Sequence, residues 1–222
     1  MGKLRANLGR DYLIIDSHLV ITDLHIGLEE KLRKEGYNFP QQDTYLTNKI
    51  KSVLKDEGKK IDSLIILGDV KETPTHFTKY ERAHVSKFFE EVNKLFKKVI
   101  VVLGNHDGKL REVFSNPLPY YIYNKILFVH GHKRVPKDLL DRKDIEMIVA
   151  GHLHPLFKLG DKNGMIYYLP CWIRGKYMGR KIIFMPSFSD VVIGSHYVDK
   201  HPGPLANKIS EKEYCIYDMV IV

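Results

Sequence analysis

The sequence predicts an α/β fold of mixed sheets flanked by helices, with its chemistry-bearing polar residues gathered at strand carboxyl ends. Three observations lead there. Apolar runs and amphipathic stretches follow the order strand, helix, strand, helix, strand over the first half, and a strand-rich second half follows. Residues 63–67 and 99–103 are nearly unbroken apolar runs, the pattern of strands covered on both faces. Such runs end in Asp23-Leu24-His25, Gly68-Asp69, Gly104-Asn105-His106-Asp107 and Gly151-His152-Leu153-His154. These are strand carboxyl ends, where open α/β sheets take their ligands.

Each element follows from its own signals. Residues 11–22 read as a hairpin, with strands at 12–15 and 19–21 joined by the turn-forming pair Asp16-Ser17. If the second strand continues, alternation points Asp23 and His25 the same way; the alternative is Asp23 capping a helix with His25 on its first turn. Residues 26–40 are mixed and charged, a short helix or ordered loop at the mouth of the site. Asp43 then precedes a helix with Leu46, Ile50, Val53 and Leu54 at helical spacing, ending near Gly58. After the strand 63–67 and a loop over 70–77, a second helix carries the stripe Val85, Phe88, Phe89, Val92 and Phe96. His84 falls on that helix's surface, and His76 lies in the loop near Asp69, where it could meet a substrate.

The strand 99–103 follows. A hairpin over 120–123 and 126–129, around Asn124-Lys125, ends in His130-Gly131-His132. A helical segment over 137–144 leads to the strand 146–150. Further strands are expected at 165–169, 171–174, 181–185, 191–193 and 214–222.

Composition bounds the classes. A chain of 222 residues suits one sizeable domain, here taken as residues 1–222, and no linker-like stretch divides it. No run approaches the roughly 18 apolar residues of a membrane span, and the amino terminus lacks a signal peptide's apolar core. Cys171 and Cys215 lack structural-zinc spacing and read as free buried thiols in a reducing, cytoplasmic protein. The net charge of +8 suits a polyanionic partner, although lysines spread over solvated helix faces give the same total. Arg174, Lys176, Arg180 and Lys181 around Tyr177 form a candidate contact for a phosphate backbone and a base; solvated strand edges are the plainer account.

The strand ends supply Asp23, His25, Asp69, Asn105, His130, His152 and His154. Oxygen and imidazole donors without thiolate suit first-row ions such as manganese, iron or zinc. Seven donors exceed one tetrahedral ion and suffice for two if a carboxylate bridges, and Asp69, alone at its strand end, is the natural bridge. Two ions about 3.5–4 Å apart clamp a phosphoryl group and activate water for in-line attack. His106, beside Asn105 but pointing elsewhere, is the candidate acid for the leaving alkoxide, with Asp107 orienting its imidazole. In His130-Gly131-His132 either histidine could be the ligand; His130 stands at the strand terminus.

In this order, Asp-x-His, Gly-Asp, Gly-Asn-His-Asp, an isolated His and Gly-His-x-His resemble the calcineurin-like metallophosphoesterase superfamily. The flanks Asp23-Leu-His-Ile-Gly-Leu-Glu29, Leu32-Arg-Lys-Glu-Gly36 followed by Pro40, and Met185-Pro-Ser-Phe188 resemble its ICC-like branch, which includes DNA-ligase-associated phosphoesterases. The resemblance implies a four-layer α/β/β/α sandwich. It implies one ion on Asp23, His25, Asp69 and His154 and another on Asp69, Asn105, His130 and His152, with His106 as the catalytic histidine. The cofactors expected are two divalent ions, manganese first, with iron, zinc and nickel as alternatives.

The expected activity is hydrolysis of a phosphoester, foremost a diester in DNA, other nucleic acid or nucleotides. The alternative is a small-molecule phosphomonoesterase. A scaffold that only binds partners would have lost ligands or the acid histidine, and this chain has lost neither.

Overall fold

The computed structural model describes residues 4–5, 11–58, 60–192, 203–216 and 219–221. The chain begins with strands β1 (Leu4–Arg5), β2 (Leu13–Ile15) and β3 (His18–Ile21), then helices α1 (Leu28–Lys34) and α2 (Gln42–Glu57). Next come β4 (Ser63–Leu67), α3 (Lys79–Leu95) and β5 (Lys98–Val102). The second half runs through β6 (Tyr121–Tyr123), β7 (Ile126–Val129), α4 (Lys137–Asp141) and β8 (Met147–Ala150). It continues through β9 (Leu156–Gly160), β10 (Ile166–Pro170), β11 (Trp172–Tyr177), β12 (Arg180–Phe184), β13 (Ile209–Ile216) and β14 (Met219–Ile221).

One sheet has β1 to β5 in chain order, with β3, β4 and β5 parallel. The other has the order β14-β13-β11-β12-β8-β7-β6, with β7, β8 and β12 parallel. Period-2 alternation divides the strands between three cores. In the first sheet Ile14, Leu19, Ile21, Leu64, Ile66 and Val101 pack under α2 and α3. Leu13, Val20, Ile65, Leu67 and Val102 instead meet Phe128, Val149, Trp172 and Ile183 of the second sheet. The outer face of the second sheet, with Leu127, Ile148, Ile173 and Phe184, packs on Val135, Leu139 and Leu205. This is the expected four-layer α/β/β/α sandwich, and double coverage explains why the central strands read as apolar runs.

Local signals hold well at the turns and helix ends. Asp16-Ser17 closes the first hairpin, with Ile15 opposite His18. Asn124 and Lys125 both take positive φ, as a tight two-residue hairpin turn requires. Thr78 and Glu81 form a reciprocal capping box on α3, and α2 ends at Gly58 in a left-handed cap. Cys171 and Cys215 are free and buried. Among the described residues, no helix is long and apolar enough to cross a membrane.

Three expectations change. The helix over 137–144 stops at Asp141, because the Arg180 guanidinium takes the carbonyl oxygens of Leu140, Arg142 and Ile145. Val191 and Val192 lie in no strand, and Ile193, like 217, 218 and 222 of the expected terminal strand, falls outside the described residues. Strand β9, unforeseen, follows His154-Pro155 directly and pairs with β10 as a separate two-stranded ribbon.

Candidate metal centre

The parallel strands β3, β4 and β5 of one sheet and β7 and β8 of the other end at the same edge of the sandwich, and all seven expected ligand residues follow them. Continued strand alternation does not bring Asp23 and His25 together: β3 has already ended. Both residues are left-handed (φ 57° and 46°), as are Asp69 (51°), His152 (73°) and His154 (42°). Such a backbone costs a non-glycine residue about 1 kcal/mol or more and persists only where surroundings over-determine it. Here the N–H groups of Leu24 and His25 both donate to Asp69 O at 2.9 Å, and those of Asp23 and Ile26 donate to Gly68 O and Val70 O. Close approach also demands small residues: a Cβ on Gly104 would stand 2.1 Å from Asp69 Oδ1, and one on Gly151 1.9 Å from Thr22 Oγ1.

Besides the group His25/Glu72/His106, two triads of the expected donors could each hold a metal ion, Asp23/His25/His154 and Asp69/His130/His152. Asp69 joins them, with Oδ2 3.1 Å from His130 Nε2 and 3.7 Å from His25 Nε2. Asn105 Oδ1 reaches the same His130 Nε2 at 3.2 Å. His130 Nδ1 donates to Leu67 O at 2.6 Å, which fixes a proton there and turns Nε2 toward the carboxylates. His25 Nδ1 lies 2.8 Å from Glu72 Oε2, and its Nε2 is buried with no hydrogen-bond partner. His154 Nε2 is likewise buried and makes no hydrogen bond, although Asp23 Oδ1 is 3.0 Å away. Two buried, unpartnered imidazole nitrogens beside buried carboxylates fit divalent cations.

The electrostatics agree. Burial pushes the Asp69 carboxyl up, but the cationic His130, its hydrogen bond and His25 outweigh this and hold it well below the usual carboxylate range. Burial opposes charge on His130, yet Asp69 and Asp23 raise its pKa to about 9. In the metal-free chain a proton on His130 thus balances the carboxylates, and a dication at the same place would replace it. Burial and the charge of His130 push His152 down to about 4, leaving it neutral.

In the quartet after β5, one member departs from the sequence expectation. Asp107 does not hold the His106 imidazole. Its carboxylate accepts N–H groups from Gly104 (2.7 Å), Asp69 (2.9 Å) and Val70 (2.8 Å), locking the ends of β4 and β5 together. The His106 imidazole instead donates from Nδ1 to the carbonyl oxygen of Glu72, and its backbone N–H donates to Asp69 Oδ1 at 2.8 Å.

Glu72, which sequence reasoning missed, thus meets His106 through its carbonyl and His25 through its carboxylate, and also pairs with Lys31 Nζ at 2.6 Å. Burial raises this carboxyl, but His25 and Lys31 bring it down to about 2. Its signal was its place three residues after Asp69, on the loop that pairs with Ile26. Thr22, bonded to Asp23 Oδ2, and Ser187, bonded to Asp23 O, were also missed.

Other candidates find structural roles. His84 bonds Asp43 Oδ1 at 3.0 Å and stacks near Tyr80; His76 is exposed beside Thr75. Tyr177 is buried, Arg180 binds carbonyl groups, and Lys176 pairs with Glu211. Moreover β12 begins at Arg180 and the centre lies beyond strand carboxyl ends, so Lys176, Arg180 and Lys181 sit at the opposite end of the sheet, while Arg174 lies across from Ile183.

Residues 18–156, more than half of the chain and including all seven donors, match the family described as calcineurin-like phosphoesterase. The chain belongs to this family. Its class of chemistry is therefore metal-dependent hydrolysis of phosphoesters. A search of curated proteins finds no match. Among solved structures, the chain is similar to the nuclease MPE of Pseudomonas putida, at 19% identity over 95% of this chain and 90% of that one, TM-score 0.61. It is also similar to Yfce, a phosphoesterase from E. coli, at 20% identity over 89% and 85% of the two chains, TM-score 0.46. At these identities the likeness is one of fold.

Proposed function

We propose that this family member is a dinuclear-metal phosphodiesterase acting on nucleic acid or nucleotides. Asp23, His25, Asp69 and His154 would hold one ion, and Asp69, Asn105, His130 and His152 the other. The carrying observation is Asp69, a buried carboxylate in reach of an imidazole nitrogen from each triad. When bound, two such ions polarise the phosphoryl oxygens and supply a nucleophilic water at neutral pH. The donor set, all oxygen and imidazole, suits first-row divalent ions, of which we take manganese first, with iron, zinc or nickel as alternatives.

The chain's own residues do the remaining work. His106 Nδ1 is committed to the Glu72 carbonyl, so Nε2 is the atom that carries a proton to the leaving alkoxide. Asp107 fixes the loop that presents both Asn105 and His106. Support for a nucleic-acid diester comes from the +8 charge and from a nuclease that shares the fold. The flank motifs of the DNA-ligase-associated branch are supported by their placement. Glu29 accepts the N–H groups of Gly27 and Gln42, and Ser187 donates to the Asp23 carbonyl. The two free thiols suit the reducing cytoplasm, and the three cores, which share strands, suit one domain over 1–222.

The test is an assay of manganese-loaded protein on bis(p-nitrophenyl) phosphate, p-nitrophenyl phosphate and single-stranded DNA. Hydrolysis of the diesters is expected; turnover confined to the monoester would overturn the reading. His106→Ala should keep both ions, by elemental analysis, and lose about 10²–10⁴-fold in turnover on esters with poor leaving groups. Wild-type rates on those esters would refute the acid assignment.

A further inference from the structure

Beside the Asn105/His130 side of the centre lies a cleft of about 570 Å³, formed between the loop after β5, Tyr120 and the loop that follows β7. Four features of it bear on substrate. It is continuous with the centre, because Asn105 and His130 line both. Its volume falls within the roughly 300–1,000 Å³ of small-ligand pockets and leaves room for a sizeable group attached to the phosphorus. Its walls are mostly apolar and include the half-buried ring of Tyr120, anchored against the core under the second sheet. Its rim carries Lys133 and Arg134, both exposed, for which no described carboxylate is an ion-pair partner.

We infer that this cleft is the subsite for the nucleoside on one side of the scissile phosphate, with Tyr120 stacking on the base and Lys133 and Arg134 holding the next phosphate along the strand. This rests on the phosphodiesterase reading and narrows it to a polynucleotide or dinucleotide rather than a simple diester. A flat base has a π-face whatever its identity, so stacking on an anchored tyrosine gives affinity without sequence preference. Two unpaired cations beyond the base suit a second phosphate, which a nucleotide strand has and a simple aryl diester lacks. His132 lines the same cleft, and its buried Nδ1 has no hydrogen-bond partner. A base edge or a ribose hydroxyl would supply one.

The experiment has a binding arm and a turnover arm. In the first, thymidine 3′,5′-bisphosphate is titrated calorimetrically into wild type, Tyr120→Phe, Tyr120→Ala and Lys133→Ala/Arg134→Ala, with folding checked by circular dichroism. Tyr120→Ala should weaken binding about tenfold, and Tyr120→Phe should restore most of it. The double variant should weaken binding and flatten its dependence on salt. In the second arm, kcat/KM for thymidine 5′-(p-nitrophenyl phosphate) relative to methyl p-nitrophenyl phosphate, which has no second ring to stack, should fall at least about tenfold in Tyr120→Ala. Equal losses on both diesters, or bisphosphate binding indifferent to all three residues, would overturn the subsite while leaving the phosphodiesterase reading intact. No hydrolysis of either diester by metal-loaded wild type would overturn that reading and the inference with it.

Discussion

At the shared edge of the sandwich, the first sheet supplies all the carboxylates, together with His25 and His106, and the second sheet supplies imidazoles alone. Asp23, Asp69 and Asp107 are buried and tied to neighbouring strand ends by backbone hydrogen bonds. On the second sheet His130 is buried, while His132, His152 and His154 are half-exposed, His132 and His154 each lining a cleft. The difference divides the labour. The carboxylate side is a rigid cross-linked frame that concentrates negative charge where it cannot relax, and the imidazole side faces the approach of a ligand.

Breaking the frame should cost most. Asp69→Asn removes the carboxylate whose Oδ2 lies near an Nε2 of each triad, so ion content should fall below two per chain and turnover by at least about 10²–10³-fold. Retention of both ions would refute the bridging role. Next, Asp107→Asn places an amide N–H₂ against backbone N–H groups. It should destabilise the fold by about 1–3 kcal/mol in denaturant unfolding and weaken metal affinity about 10–100-fold. An unchanged unfolding midpoint would refute its cross-linking role.

A third prediction concerns pH. His130 has its pKa raised from 6.5 to about 9 in the metal-free fold. A raised pKa contributes stability that is complete below the unfolded value, 6.5, and lost as pH climbs through about 9. Metal-free protein should therefore unfold at progressively lower denaturant concentration across that window, and a saturating divalent ion should remove the slope. A flat metal-free profile would show that the carboxylates do not hold that proton. The smallest effect is expected at the opposite end of the second sheet. Lys176→Ala should leave kcat/KM within about twofold and change stability by less than about 1 kcal/mol, since the exposed Lys176–Glu211 pair is worth little. A large loss on DNA would restore that cluster as a nucleic-acid contact.

The sequence displayed the layers and the polar residues at the edge because both are local signals: apolar runs, and carboxylates or imidazoles directly after them. What it concealed depends on contacts between distant segments. Asp23 and His25 converge through left-handed backbone held by the β4 loop, which no alternation pattern encodes. Asp107 looked like the natural partner of its neighbour His106, yet the turn sends its carboxylate back to residues 69 and 70. Glu72 has no motif of its own and acquires its contacts only when that loop pairs with Ile26. Strand β9, half-buried to exposed, lacks the apolar continuity that marks the interior strands.

Each triad draws on both sheets: Asp23 and His25 from one with His154 from the other, and Asp69 with His130 and His152. Neither of these triads is therefore complete before the halves have docked. Bound ions would act as rivets across that seam, adding their binding free energy to the packing around Trp172. Chelation should accordingly loosen the joint between the sheets first and leave the helix-covered outer faces for last.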